Sequence, residues 1–165
     1  MIKIIDIKAR EIFDSRGNPT VECEMLVEGH PDPFFGLVPS GASTGKFEAL
    51  ELRDNDNQRM SGKGVLKAVD NINTSMKPHL INNSFNDYMN FDNSILSLDG
   101  TDNKSKYGAN AILSLSLAFY KAWSYLNYNK IYLSQGSNDL SIPVPMLNII
   151  NGGQHADNDV DFQEF

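Results

Sequence analysis

A chain of 165 residues is long enough for one well-filled core, or for one domain and part of another. Its 41% hydrophobic and 21% charged residues place it with folded globular proteins rather than disordered ones. The 14 Lys and Arg against 21 Asp and Glu leave a net charge of -7, and no basic run is long enough to follow a phosphate backbone, which argues against direct nucleic-acid binding.

The apolar residues between Met1 and Ile12 are broken by Lys3, Asp6, Lys8 and Arg10, unlike a signal peptide. No segment is long and apolar enough to span a membrane, and a single cysteine fits a reducing cytoplasm. Ile2 to Phe13 suits a strand, and Asp14 to Pro19 has turn chemistry. Thr20 to Val27 alternates, with Val21, Cys23, Met25 and Val27 on one face and Glu22 and Glu24 on the other, so Cys23 is expected to be a buried strand thiol. Phe34 to Val38 supplies a third strand, and the three form an antiparallel meander.

Ser40 to Gly45 packs two glycines and three hydroxyl residues into one short stretch. It reads either as a movable polar flap over a ligand or as a surface turn of small residues. A P-loop is disfavoured, because no Gly-Lys-Ser/Thr follows the glycines. Glu48 to Leu52 has no clear period and is expected to be irregular.

Gly62-Lys63-Gly64 precedes a helix with Val65, Val69, Ile72 and Met76 on one stripe, which Pro78 should bend or end. A second helix is expected from about Asn86 to Leu96, with Tyr88, Phe91 and Ile95 in register. After the polar loop Asp99 to Gly108, a third and longest helix starts near Ala109, with Ile112, Ser116, Phe119, Trp123 and Leu126 at helical spacing. Strands followed by segregated helices define an α+β domain over 1–136.

The remainder, 137–165, differs in kind. Ile142-Pro143-Val144-Pro145 excludes a helix, and Met146 to Ile150, apolar but for Asn148, is a run of strand length, as inside a parallel sheet or barrel. A barrel needs roughly 200 residues or more, so this stretch is expected to be the truncated start of an α/β, TIM-like barrel. Its loop crowds His155, Asp157, Asp159, Asp161 and Glu164. The aspartate spacing imitates a calcium loop, but Phe162 stands where glycine is needed. His155 and Glu164, beside an inner strand, are candidate catalytic groups; the alternative is a solvated acidic loop.

Taken together, Ala9 to Glu22, Val38 to Asp54, Gly62 to Val65, Asp99 to Thr101, Asn103 to Leu113 and Pro143 to Phe165 resemble enolase, in the order of that family. The resemblance implies a cap domain followed by a barrel, and the reversible Mg²⁺-dependent dehydration of 2-phosphoglycerate to phosphoenolpyruvate, a glycolytic lyase step with two Mg²⁺ ions per site. By position, it implies that Ser43 binds Mg²⁺ as the flap closes, with Ala42 along the same loop. His155, Gln163 and Glu164 would line the substrate pocket, and Arg10 and Glu22 would meet the opposite subunit of a homodimer.

The family's catalytic lysine, general-acid glutamate, first metal carboxylates and phosphate-binding arginine have no match within these residues, so the chain alone is expected to be inactive. The other class of function is a non-catalytic interaction module. The family's RNA-degrading assemblies, plasminogen binding and cell-surface or secreted forms are analogies that no residue here selects. Two departures stand out: Asp54-Asn55-Asp56 replaces the usual Asp-Gly-Asp, and Phe119, Tyr120 and Trp123 replace small residues.

Overall fold

The computed structural model describes residues 1–39, 45–131, 134 and 141–165. Three long strands, β1 (Ile2–Phe13), β2 (Pro19–Val27) and β3 (Phe34–Leu37), form the expected meander. A fourth, β4 (Ser84–Phe85), adds to the other side of β1, giving an antiparallel sheet of order β3-β2-β1-β4. Two residues carry too little alternation to announce a strand, so β4 was not legible in the sequence. Its pairing Ile2↔Phe85 covers only the start of the β1 edge.

A bulge between Ile4 and Asp6 resets the β1 pleat. Ile2 and Ile4 point into the core ahead of it, and Ile7 and Ala9 after it, while Ile5 turns outward. Without the extra residue, a strict period of two would send Ile7 and Ala9 to solvent. On β2, Val21, Cys23, Met25 and Val27 are buried as their alternation requires.

The helices α1 (Leu66–Asp70), α2 (Lys77–Leu80), α3 (Tyr88–Asp99) and α4 (Ala109–Tyr128) lie over the core face of the sheet. A π-helical segment, Asn71–Met76, joins α1 to α2 without a break, so the chain stays helical past Pro78 for two more residues. Proline lacks the N–H and crowds the preceding turn. The wider turn, in which the Lys77 N–H donates to the Ile72 carbonyl, accommodates it. Asp87 caps α3 by accepting from the Asn90 N–H at 2.8 Å.

Core packing of α4 runs through Ala111, Leu115, Ala118 and Ala122 beside Ile112 and Phe119. Leu126 is exposed and Ser116 only partly buried, so the true apolar stripe is rotated from the expected one. The small residues decide this, because they let the helix approach the sheet closely. Phe119 fits by stacking on Phe91, centroids 4.3 Å apart, and Phe85 meets both edge-on.

Residues 141–150 have no regular secondary structure, and the apolar run Met146 to Ile150 is largely exposed. Instead of parallel pairing, Phe165 exchanges backbone hydrogen bonds with Ile150 at 2.9 and 3.0 Å, and Asn151 bridges Glu164 in antiparallel sense. The intervening loop returns the chain directly, whereas a parallel pair needs a crossover of about a dozen residues or more.

Candidate functional site

The two stems of the Ser40 to Gly45 loop are held firmly. Beyond β3, the Val38 N–H donates to Val21 O at 3.1 Å, and Thr20 Oγ1 donates to Val38 O at 2.6 Å. On the far side, the Gly45 N–H donates to Glu48 Oε2 at 2.8 Å, closing a turn in which the Glu48 N–H returns to Gly45 O. Glu48 to Leu52 is irregular, as expected, and is tied to the start of α4: Asn110 accepts from the Leu52 N–H and donates to its carbonyl. A cavity of about 160 Å³ opens between the stems, lined by Pro39, Glu48, Glu51 and Asn110 among others. Ala42 and Ser43 lie outside the described residues.

Behind the stems, Glu11 of β1 receives both terminal nitrogens of Arg59 and the Val65 N–H, the last at 2.7 Å. The Arg59 guanidinium beside it holds the Glu11 carboxyl below the usual carboxylate range, against the opposing effect of burial. Asp54 accepts from the Leu66 and Lys67 N–H groups, both at 2.9 Å, and so closes the start of α1. A Cβ on Gly64 would stand 2.4 Å from Asp54 Oδ2 and 2.5 Å from Arg59 Nη1, which explains the second glycine of Gly62-Lys63-Gly64. Asn55 takes φ +55, a left-handed conformation that asparagine tolerates.

In the second segment, Gly152 is the pivot. A side chain there would meet Val160 O at 2.3 Å and Phe162 O at 2.6 Å, so only glycine lets the loop fold back on itself. Asn158 braces it, donating to Asn151 O and accepting from the Val160 N–H, each at 3.0 Å. This return brings together the three residues singled out from the sequence. His155 Nδ1 lies 2.5 Å from Glu164 Oε1, and Gln163 Nε2 lies 2.9 Å from His155 Nε2. A carboxylate only accepts, so Nδ1 carries the proton and Nε2 accepts from the Gln163 amide. Carboxylate, imidazole and amide form one oriented chain of hydrogen bonds. Asp157, Asp159 and Asp161 remain exposed.

Arg10 and Glu22 face each other across the β1–β2 ladder. Arg10 Nε approaches Glu22 Oε1 at 2.6 Å, at an angle that makes an ion contact rather than a directed hydrogen bond, while its Nη2 donates to Glu24. Buried and flanked by Glu22 and Glu24, Cys23 has its thiol pushed up to about 12 by burial first and by those charges second, which makes it unreactive.

Among the described residues, no group of three or more His, Cys, Asp or Glu side chains is gathered as a metal would require. A hard dication takes six or more oxygens or waters, so the described residues do not compose a magnesium site by themselves. Sequence reasoning missed Gly152 as the pivot, although two adjacent glycines, Gly152 and Gly153, mark a turn. The Glu11–Arg59 pair was also missed, having no local pattern.

The described residues thus form an α+β unit with an antiparallel sheet of four strands and a few helices, followed by a fold-back that brings histidine, glutamine and glutamate together. The family model for the enolase N-terminal domain matches residues 4–134, and that for the enolase C-terminal TIM barrel domain matches residues 139–165. The chain belongs to the enolase family, a family of lyases that depends on magnesium.

Proposed function

We propose that this chain supplies the cap, the closing loop and the first barrel residues of a phosphopyruvate hydratase, which interconverts 2-phosphoglycerate and phosphoenolpyruvate. The observation that carries the reading is the His155–Glu164–Gln163 chain, in a member of the enolase family. In this reading 1–136 is the cap and 137–165 begins the barrel. Ala42 and Ser43 belong to the loop that closes over substrate, and closure excludes water from a charged intermediate. His155, Gln163 and Glu164 line the pocket. The Glu164 carboxylate fixes the imidazole tautomer, and its negative charge raises the proton affinity of any acid placed beside it. Arg10 and Glu22, already paired within the chain, are offered to a second subunit of a homodimer.

The family's magnesium is part of this proposal only as the ion that stabilises charge on the substrate carboxylate. The described residues do not gather its ligands by themselves. The 165 residues by themselves are expected to give no turnover. The test follows phosphoenolpyruvate by its ultraviolet absorbance with 2-phosphoglycerate and Mg²⁺, for the purified 165-residue chain and for the complete product of the reading frame. Activity in the second and none in the first is expected. Turnover by the 165-residue chain, or a complete product inert toward 2-phosphoglycerate, overturns the reading.

A further inference from the structure

Two peptide groups flank the pivot at Gly152, and each is gripped on both sides. In the first, the Gly152 N–H donates to Gln163 O at 3.1 Å, and the Asn151 carbonyl accepts from Asn158 Nδ2 at 3.0 Å. In the second, the Gly153 N–H donates to Val160 O at 3.0 Å, and the Gly152 carbonyl accepts from the His155 N–H at 2.9 Å. Three of these bonds join backbone to backbone. The other needs the side chain of Asn158.

That side chain has its orientation set for it. The Val160 N–H donates to Asn158 Oδ1 at 3.0 Å, and since an N–H only donates, the amide must turn its Nδ2 toward Asn151 O. A carboxylate at 158 could still receive the Val160 N–H but could not donate across the loop. Glycine has little intrinsic preference with which to hold the neighbouring peptides, because it samples a wide range of φ and ψ. The direction in which the chain leaves Gly152 is therefore set by the bonds around it, and His155 follows three residues later. Its ring stands between Glu164 and Gln163 only while that direction is kept, with Nδ1 2.5 Å from Glu164 Oε1 and Nε2 2.9 Å from Gln163 Nε2.

We propose that Asn158 is a positioning residue for His155: its amide holds the Asn151 carbonyl, fixes the pivot, and so keeps the imidazole between Glu164 and Gln163 as the Nδ1–H tautomer. Its part in turnover rests on the reading that His155 lines the substrate pocket; its hold on the tautomer does not.

The test reads the His155 ring by long-range ¹H–¹⁵N correlation in the ¹⁵N-labelled 165-residue chain at about pH 8, where an ordinary imidazole is neutral. The chain has 3 histidines, and the signals lost in His155→Gln identify this one. A protonated Nδ1 and a bare Nε2 are expected in the unsubstituted chain. In Asn158→Ala and Asn158→Asp the two nitrogens should move toward a common averaged shift, because an imidazole that leaves Glu164 loses the contact that sets its tautomer. The urea midpoint should not change, since Asn158 is exposed and its loss opens no core. In the complete product of the reading frame, both variants should lower kcat/KM about fivefold, the population change that one ordinary hydrogen bond governs. A bare Nδ1 in the unsubstituted chain, or an unchanged tautomer in the alanine variant, overturns the proposal. So does an unchanged tautomer in the aspartate variant, which would make the turn to Val160 sufficient. An active complete product whose kcat/KM neither substitution alters overturns the part in turnover. A complete product inert toward 2-phosphoglycerate overturns the functional reading instead, and the spectra then decide the positioning by themselves.

Discussion

Gly36 lies where β3 passes beneath α4, and no other residue fits. A Cβ there would stand 1.9 Å from Ser114 O and 2.8 Å from Ala118 N, both backbone atoms of a helix that cannot yield without moving. Gly36→Ala should therefore destabilise by at least the upper part of the range for overpacking, about 3 kcal/mol. Gly29 is the contrast: nothing lies within 4 Å, but φ is +90, so Gly29→Ala should cost only about 1–2 kcal/mol of backbone strain. Urea denaturation of the two variants separates them, and equal losses would contradict the packing described for β3. Asn73 carries a different duty. Its side chain accepts from the Ala9 N–H at 2.8 Å and donates to Ala9 O at 3.0 Å, continuing along the β1 edge where β4 has ended. Asn73→Ala leaves both backbone groups without that partner and should cost about 1–3 kcal/mol by the same assay.

At the scale of elements, the contact between β1 and the start of α1 depends on charge. Glu11 has its carboxyl held below its ordinary 4.5, first by Arg59. The folded state therefore takes up this proton less readily than the unfolded chain. The resulting stability is complete above about pH 4.5 and is lost as pH falls through the depressed folded value. In the Glu11→Gln variant that contribution is absent at neutral pH. The stability gap between the unsubstituted chain and this variant should thus be widest near pH 7 and close progressively below pH 4.5. A gap that stays constant from pH 7 to pH 3 would mean that the pair does not titrate with folding. The strands β1 to β3 and the helices α3 and α4 were legible because their cores repeat at period two or near 3.6, a pattern that composition preserves locally. β4, the π-helical segment and the Glu11–Arg59 clamp were not, since each is set by residues far apart in sequence. On α4 the large residues misplaced the apolar stripe: Trp123 and Leu126 are at helical spacing, yet the buried line follows the alanines. The candidate site divides the same way. Residue types marked His155 and Glu164, and the family resemblance added Gln163, but only the fold-back at Gly152 brings them within hydrogen-bonding distance.

Across the whole molecule, the two segments differ in how much they bury. From β1 to α4 the chain closes a continuous core that includes Ile4, Met25, Ile72, Phe91, Leu115 and Phe119. Between 141 and 165 the side chains of Ile142, Val144, Met146, Leu147, Phe162 and Phe165 are each at least 72% exposed. Their hydrophobic burial contributes little to folding of the 165-residue chain, and exposed apolar area of this kind favours association. The proposed boundary near 136 falls outside the described residues, so it is tested by cleavage rather than by inspection. Limited proteolysis should trim 137–165 first and spare a fragment from Met1 to about Gly136. That fragment should unfold in urea with nearly the midpoint of the intact chain, because the core it keeps is the core the chain has. It should also bind less of a dye specific for exposed apolar surface. Uniform resistance to Phe165, or a large drop in midpoint on trimming, would show that 137–165 packs on the cap within this chain and that the two parts fold as one.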